Sequence, residues 1–202
     1  MVRVREALRD DAAGIARVHV DSWRTTYRGI LPADYLAGLS YAERETLWQR
    51  WLDAAATGSQ VIFLAEERPE ERAPPEEGTA PPGLPSSATP QIVGFAYGGP
   101  ASRDTADYEG ELYAIYLLHS HQRRGIGKTL FLRVAERLAQ DRRRSLFVWV
   151  ARDNPSRAFY EAMGARLVRE RRVELFGQQI DEAGYGWDDI TTLLARLRAP
   201  DK

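Results

Sequence analysis

Cysteine is absent from the 202 residues, which excludes disulfides, thiolate metal sites and any reaction routed through a thioester on the protein itself. Charge of one sign is not in excess either. Twenty-eight Lys and Arg stand against 29 Asp and Glu, giving a formal net charge of -1 and a pI near 6.3. That balance lacks the basic field that drives nonspecific nucleic-acid binding, so no nucleic-acid partner is expected. Histidine is scarce, and His119 and His121, with no cysteine or carboxylate cluster beside them, make a poor metal site, so no metal is expected. Met1–Asp10 alternates charged and apolar residues and has no apolar segment of the secretory kind. With 44% hydrophobic and 28% charged residues the composition is that of a soluble globule. The expectation is a cytoplasmic protein without a membrane partner, one domain over 1–202.

The punctuation of the chain predicts alternating strands and helices. Val2–Leu8 reads as a strand, and Asp10 or Asp11 offers an N-cap to a helix carrying Ile15, Val18 and Trp23. Ser40 with Glu43 three residues on forms a capping box for a second helix, whose apolar side holds Leu47, Trp48, Trp51 and Leu52. Gln60–Glu66 and Gln91–Tyr97 are β-rich runs suited to pairing. The stretch between them, about 68–90, is rich in Pro and Glu without apolar periodicity, and reads as a flexible insertion. Glu111–Leu118 is strand-like, and Ile126, Leu130, Phe131, Val134, Ala135 and Leu138 then follow helical spacing. Leu146–Ala151 has the unbroken apolar character of a parallel strand buried on both faces. Asn154 as N-cap, Pro155 and Gly164 bracket a short helix. Leu167–Phe176 and Ile180–Trp187 make a hairpin, and Asp188–Arg198 a last helix.

The most informative motif is Gln122-Arg123-Arg124-Gly125-Ile126-Gly127-Lys128, at a strand-to-helix junction. Free backbone N–H groups there meet the positive end of the helix dipole, glycines admit a diphosphate closely, and Arg123, Arg124 and Lys128 add charge. A Walker A loop would need glycine where Gln122 stands, and a dinucleotide fingerprint would need one at Leu130, so neither spacing fits. The remaining pattern, Q-x-x-G-x-G after an apolar strand, resembles the coenzyme A pyrophosphate loop of the GNAT superfamily of N-acetyltransferases.

That resemblance spans nearly the whole chain. It implies a mixed α/β fold whose central, mostly antiparallel sheet is splayed between its two parallel middle strands, with helices on both faces. It implies acetyl-CoA as co-substrate, its pantetheine arm lying along Ile115, Leu117 and Leu118, and Gln122, Arg123, Arg124, Gly125, Ile126, Gly127 and Lys128 around its diphosphate. Asn154, Ala158, Phe159 and Tyr160 are similar to the family's N-x-x-A-x-x-F/Y-Y region with one spacer fewer. There the Asn contacts the coenzyme arm and the Tyr faces its sulfur. His119 departs from the family, which usually has proline at that place. A homodimer is compatible with the likeness.

Direct acetyl transfer needs a neutral amine, a polarised carbonyl and a proton for the departing thiolate. Tyr160 is the candidate acid, with a core aromatic role as the alternative. Glu111 is the candidate base, acting through water, with Glu109 and Tyr113 as alternatives or a solvated strand end as its plain reading. The Leu117 N–H, if freed by a strand bulge, is the candidate carbonyl donor. Tyr27 and Arg28, between the first two helices, are candidates for holding the acceptor, an amine-bearing small molecule or a protein N-terminus. The rival reading is a coenzyme A-binding regulatory domain without transfer activity.

Overall fold

The computed structural model describes residues 1–68, 90–105 and 107–199, so most of the expected insertion lies outside the described residues. Among the described residues seven strands form one sheet: β1 (Val2–Glu6), β2 (Val61–Glu67), β3 (Gln91–Pro100), β4 (Gly110–Leu117), β5 (Leu146–Ala151), β6 (Arg166–Leu175) and β7 (Gln178–Trp187). Their order is β1-β2-β3-β4-β5-β7-β6, antiparallel throughout except for the parallel pair β4–β5. This is the mixed sheet that the motif's resemblance implied. Among the described residues six α-helices accompany it: α1 (Ala12–Thr26), α2 (Ala33–Ala37), α3 (Tyr41–Thr57), α4 (Ile126–Gln140), α5 (Arg157–Ala162) and α6 (Ile190–Arg198).

Strand alternation divides the apolar residues between two cores. On β2, Val61, Phe63 and Ala65 point to the core shared with α4 and α6, whereas Ile62 and Leu64 point to the core under α1 and α3. α4 buries Ile126, Leu130, Phe131, Val134 and Leu138, an i, i+4, i+8 face, and α1 buries Ile15, Val18, His19 and Ser22. Each large apolar side chain removed from water in this way stabilises the fold by about 1.5–3 kcal/mol. Among the described residues, no helix is long and apolar enough to cross a membrane.

Several local expectations are corrected. Asp11 does not cap α1 with its side chain. Its carboxylate accepts the Leu8 N–H at 2.7 Å and both Arg5 terminal nitrogens at 2.7 and 2.8 Å, closing a 3-10 turn over Arg9–Asp11 before the helix begins. Asn154 does not cap α5 either; its Oδ1 accepts the Ser156 N–H at 2.8 Å in an Asx turn, and Ser156 is the N-cap. Ser40 does cap α3, accepting the Glu43 N–H at 3.3 Å. The hairpin turn tightens to Phe176 and Gly177, both at positive φ, the two-residue geometry that suits twisted strands. α4 ends at Gln140, and Arg142, Arg143 and Arg144 lie beyond it.

One buried group makes acid stability measurable. His19 lies beneath α3 with 5% exposure, and its Nδ1 accepts the indole N–H of Trp48 at 3.0 Å. Burial, and then the charge of Arg44, pushes its pKa down from 6.5 to about 3. The folded state therefore refuses a proton that the unfolded chain accepts, and stability is lost as pH falls below 6.5 toward 3. Urea unfolding is expected to show roughly 2–3 kcal/mol less stability at about pH 4.5 than at pH 7. His19→Gln should flatten that slope; an unchanged slope would assign it to other groups.

Candidate active site

β4 is the middle strand of the seven, yet Tyr113 through Leu118 are only half-buried. The reason is the partner strand. β5 pairs with β4 at Gly110–Leu146 and Glu111–Phe147 and nowhere beyond, so from Leu112 onward the two parallel strands diverge. Leu118 N–H donates to Val93 O at 2.9 Å, and strand alternation turns the Leu117 backbone groups the other way, into the gap. The Leu117 carbonyl there accepts Ser22 Oγ at 3.2 Å and Gln122 Nε2 at 3.3 Å. The expectation of a bulge at Leu117 is corrected. The irregularity in β4 lies at Tyr113, opposite Tyr97 and Gly98, and divergence from β5 is what frees the Leu117 amide.

At the mouth of the gap, a 3-10 turn (His119–His121) leads through Gln122, Arg123 and Arg124 into α4. Arg123 and Gly125 both hold positive φ, 61° and 79°. The two glycines serve different ends. A Cβ on Gly125 would meet nothing within 4 Å, so its requirement is conformational, whereas one on Gly127 would come 3.2 Å from Leu117 Cδ1 and 3.6 Å from Phe159. Ile126 is buried in the core and anchors the first turn, while Gln122 through Gly125 are exposed. Arg124 shares Glu67 with His121, at 3.3 and 3.0 Å, which ties the turn to the end of β2. Lys128 sits half-buried in the first turn of α4. The first-turn amides of a 15-residue helix thus face the opening between the strands.

Behind this mouth is a cluster of neutral polar groups. Tyr160, from α5, is 5% exposed and wrapped by Phe159, Tyr185 and Trp187, yet its hydroxyl has no hydrogen-bond partner among the described residues. Burial, and then nearby Tyr27, raises its pKa well above the ordinary tyrosine value, which keeps the proton on the oxygen. Tyr27, at the C-cap of α1, shares a 2.9 Å hydrogen bond with the Tyr116 hydroxyl, and the Asn154 amide faces the same Tyr27 oxygen. Burial holds Tyr27 and Tyr116 protonated too. The Trp23 indole N–H faces Tyr116 without reaching hydrogen-bond geometry and has no partner among the described residues.

The acidic candidates separate. Glu111, 7% exposed, sits at the closed end of the gap and takes both the Ser102 N–H (2.9 Å) and Thr105 Oγ1 (2.8 Å) on a single oxygen, Oε2. Glu109 is bound by Arg144 at 2.8–2.9 Å on the surface. Tyr113 donates to Pro100 O, and burial with Glu111 nearby pushes it up to about 12, far from a base. Of the acceptor candidates, Tyr27 belongs to the cluster, whereas Arg28 is exposed beside a hollow of about 230 Å³ that Arg24, Leu31, Ala33 and Leu36 also line. The segment between the first two helices, expected as a connection, contains α2 and packs Leu31, Leu36 and Leu39 against Ala151 and Ile180, roofing the sheet beyond β5.

Sequence reading missed Tyr116 and Glu182. Tyr116 was hidden because the Tyr113 irregularity shifts strand alternation. Glu182 carried no distinguishing signal in the sequence, because it stands beside a second acid, Asp181, just before the apolar and small stretch Ala183–Trp187 of the strand.

The comparisons agree with this geometry. A family model described as FR47-like protein matches residues 101–173, from the turn before β4 into β6. An uncharacterised N-acetyltransferase of Bacillus subtilis (strain 168), YuaI, is 40% identical over 197 residues, covering 98% of this chain and 99% of that protein. The PaiA N-acetyltransferase of Thermoplasma acidophilum, solved in complex with coenzyme A, superposes with a TM-score of 0.61 at 18% identity over 91% of this chain and 98% of its own. YncA of Salmonella typhimurium, solved with its cofactor acetyl-CoA, gives 0.63 at 17% identity over 100% and 98%. The last two likenesses speak for the fold, while the full-length identity to an N-acetyltransferase speaks for descent. With the parted parallel strands and the glycine turn at their mouth, they establish that the chain belongs to the GNAT superfamily of N-acetyltransferases.

Proposed function

We propose that the protein, acting as one domain over 1–202, moves the acetyl group of acetyl-CoA onto a primary amine by direct attack within a ternary complex. The observation that carries this reading is the gap itself: β4 and β5 part beyond Glu111, and a glycine turn and the unpartnered hydroxyl of Tyr160 lie along it. The residues suit the co-substrate, because a Cβ at Gly127 would fill the space beside Leu117 and Phe159 where the α4 amides approach the gap.

In this reading Gln122, Arg123, Arg124, Gly125, Ile126, Gly127 and Lys128 hold the diphosphate through backbone N–H groups and local cations. Ile115, Leu117 and Leu118 offer the open edge of β4 to the pantetheine amides, with Asn154 across from them. Acetyl-CoA supplies an activated acyl group on a sulfur leaving group. The Leu117 N–H polarises the carbonyl, Tyr160 gives its proton to sulfur, and Glu111 draws the proton of the amine through water. Tyr27 and Arg28 flank the approach of the acceptor.

The test is a calorimetric titration with acetyl-CoA followed by thiol release from a panel of primary amines: tyramine, 1,4-diaminobutane, lysine ethyl ester and trialanine. Saturable binding and thiol release with at least one amine are expected. No affinity for acetyl-CoA would overturn the reading, and binding with no thiol release would favour the silent coenzyme-binding domain.

A further inference from the structure

We infer that Glu182 of β7 docks the acceptor as its ammonium ion, on the face of the gap covered by α1; this rests on the transferase reading above. The register places it there. Glu182 pairs with Ala151, the last residue of β5, and strand alternation puts both on the same face of the sheet. Ala151 packs under Val20 of α1 and Leu31 and Leu36 of the roof, so Glu182 lies at the level where β4 and β5 have already separated. Glu111 lies at the other, closed end.

The carboxylate is held ready. Its side chain is 14% exposed, and Arg171 Nε donates to Oε2 at 2.7 Å, while Oε1 has no hydrogen-bond partner among the described residues. Arg171 cannot swing away freely: its guanidinium lies 3.9 Å from the centre of the Trp149 ring and a further nitrogen meets Asp104 at 3.2 Å. It is thus a positioning residue that orients Glu182 and leaves one oxygen open. The negative charge of Glu182 also reaches the Tyr27 hydroxyl, which is joined to Tyr116 and lies close enough to Tyr160 to perturb it. A cation seated on Oε1 would therefore stand beside the same phenol cluster that borders the reacting sulfur. Partly buried charge pairs of this kind are far less screened than surface ones.

Because an amine arrives in neutral water mostly as ammonium, a docking carboxylate acts on acceptor binding before chemistry begins. The experiment uses the full chain with Glu182→Gln and Glu182→Asp, and the panel amine of highest kcat/KM. Acetyl-CoA affinity is measured first on each variant. Glu182→Gln is expected to raise the amine KM by at least 30-fold, with kcat within about 3-fold and acetyl-CoA affinity unchanged. Glu182→Asp, which keeps the charge and is the informative variant should the amide fail to fold, should fall between, at about 3–10-fold. An amine KM within about 2-fold of wild type in either folded variant overturns the inference, as does a loss that appears in kcat with KM unchanged. Failure of wild type to bind acetyl-CoA would instead strike the transferase reading.

Discussion

Replacing Tyr160 by Phe is expected to lower kcat by about 100-fold or more, with little change in stability. The two halves of that expectation come from one observation. The ring is buried, but no group among the described residues bonds its hydroxyl, so deleting the oxygen breaks no hydrogen bond and keeps the ring against Phe159, Tyr185 and Trp187. An ordinary buried tyrosine that had lost a bonded hydroxyl would cost the fold about 1–3 kcal/mol. The raised pKa sets the pH dependence. An acid must hold its proton, and burial keeps it on Tyr160 past the ordinary tyrosine value of 10.0, so this residue causes no fall in kcat between pH 7 and 9. Steady-state kinetics with a thermal melt separates the possibilities. Unchanged turnover removes the acid role, and a large drop in melting temperature with it would mark Tyr160 as a core residue.

Gly125→Val should be almost as damaging, through binding. The strand-to-helix turn holds Gly125 at φ 79° with open space where a side chain would go, so strain and not collision is the cost. A left-handed residue with a β-branched side chain costs about 1–2 kcal/mol or more. The turn can relieve it only by rotating the amides that approach the diphosphate. Acetyl-CoA affinity is expected to fall at least 10-fold by calorimetry, and Gly125→Ala should lose a smaller but clear share because the strain persists without the branch. Wild-type affinity in both variants would detach the turn from the coenzyme. The α4 helix should survive, since Ile126, Leu130 and Phe131 stay in the core.

Strands and helices were legible where apolar periodicity was strong. Leu146–Ala151 appears with the bounds expected, because a run buried on both faces leaves no ambiguity of side. Ser40 and Gly164 also act as read, since a cap and a positive-φ stop depend on neighbours in sequence. Asp11 and Asn154 did not. Both have the chemistry of caps, but Arg5 claims the first and the turn after β5 claims the second, and those competitors are decided by folding.

The chain's own order of residues determined the glycine turn, its cations and the short helix that carries Tyr160, because each follows from local conformational preference and spacing; the mixed sheet was implied by the motif's family resemblance. Only tertiary structure decided that β5 leaves β4 after Glu111, that the Leu117 amide is freed by this parting, and that Tyr27, Tyr116, Asn154, Tyr160 and Glu182 gather at one place. α4 packs on one face of the sheet, α1 and the roof on the other. Such packing joins residues more than a hundred positions apart, and no window of neighbouring residues contains it.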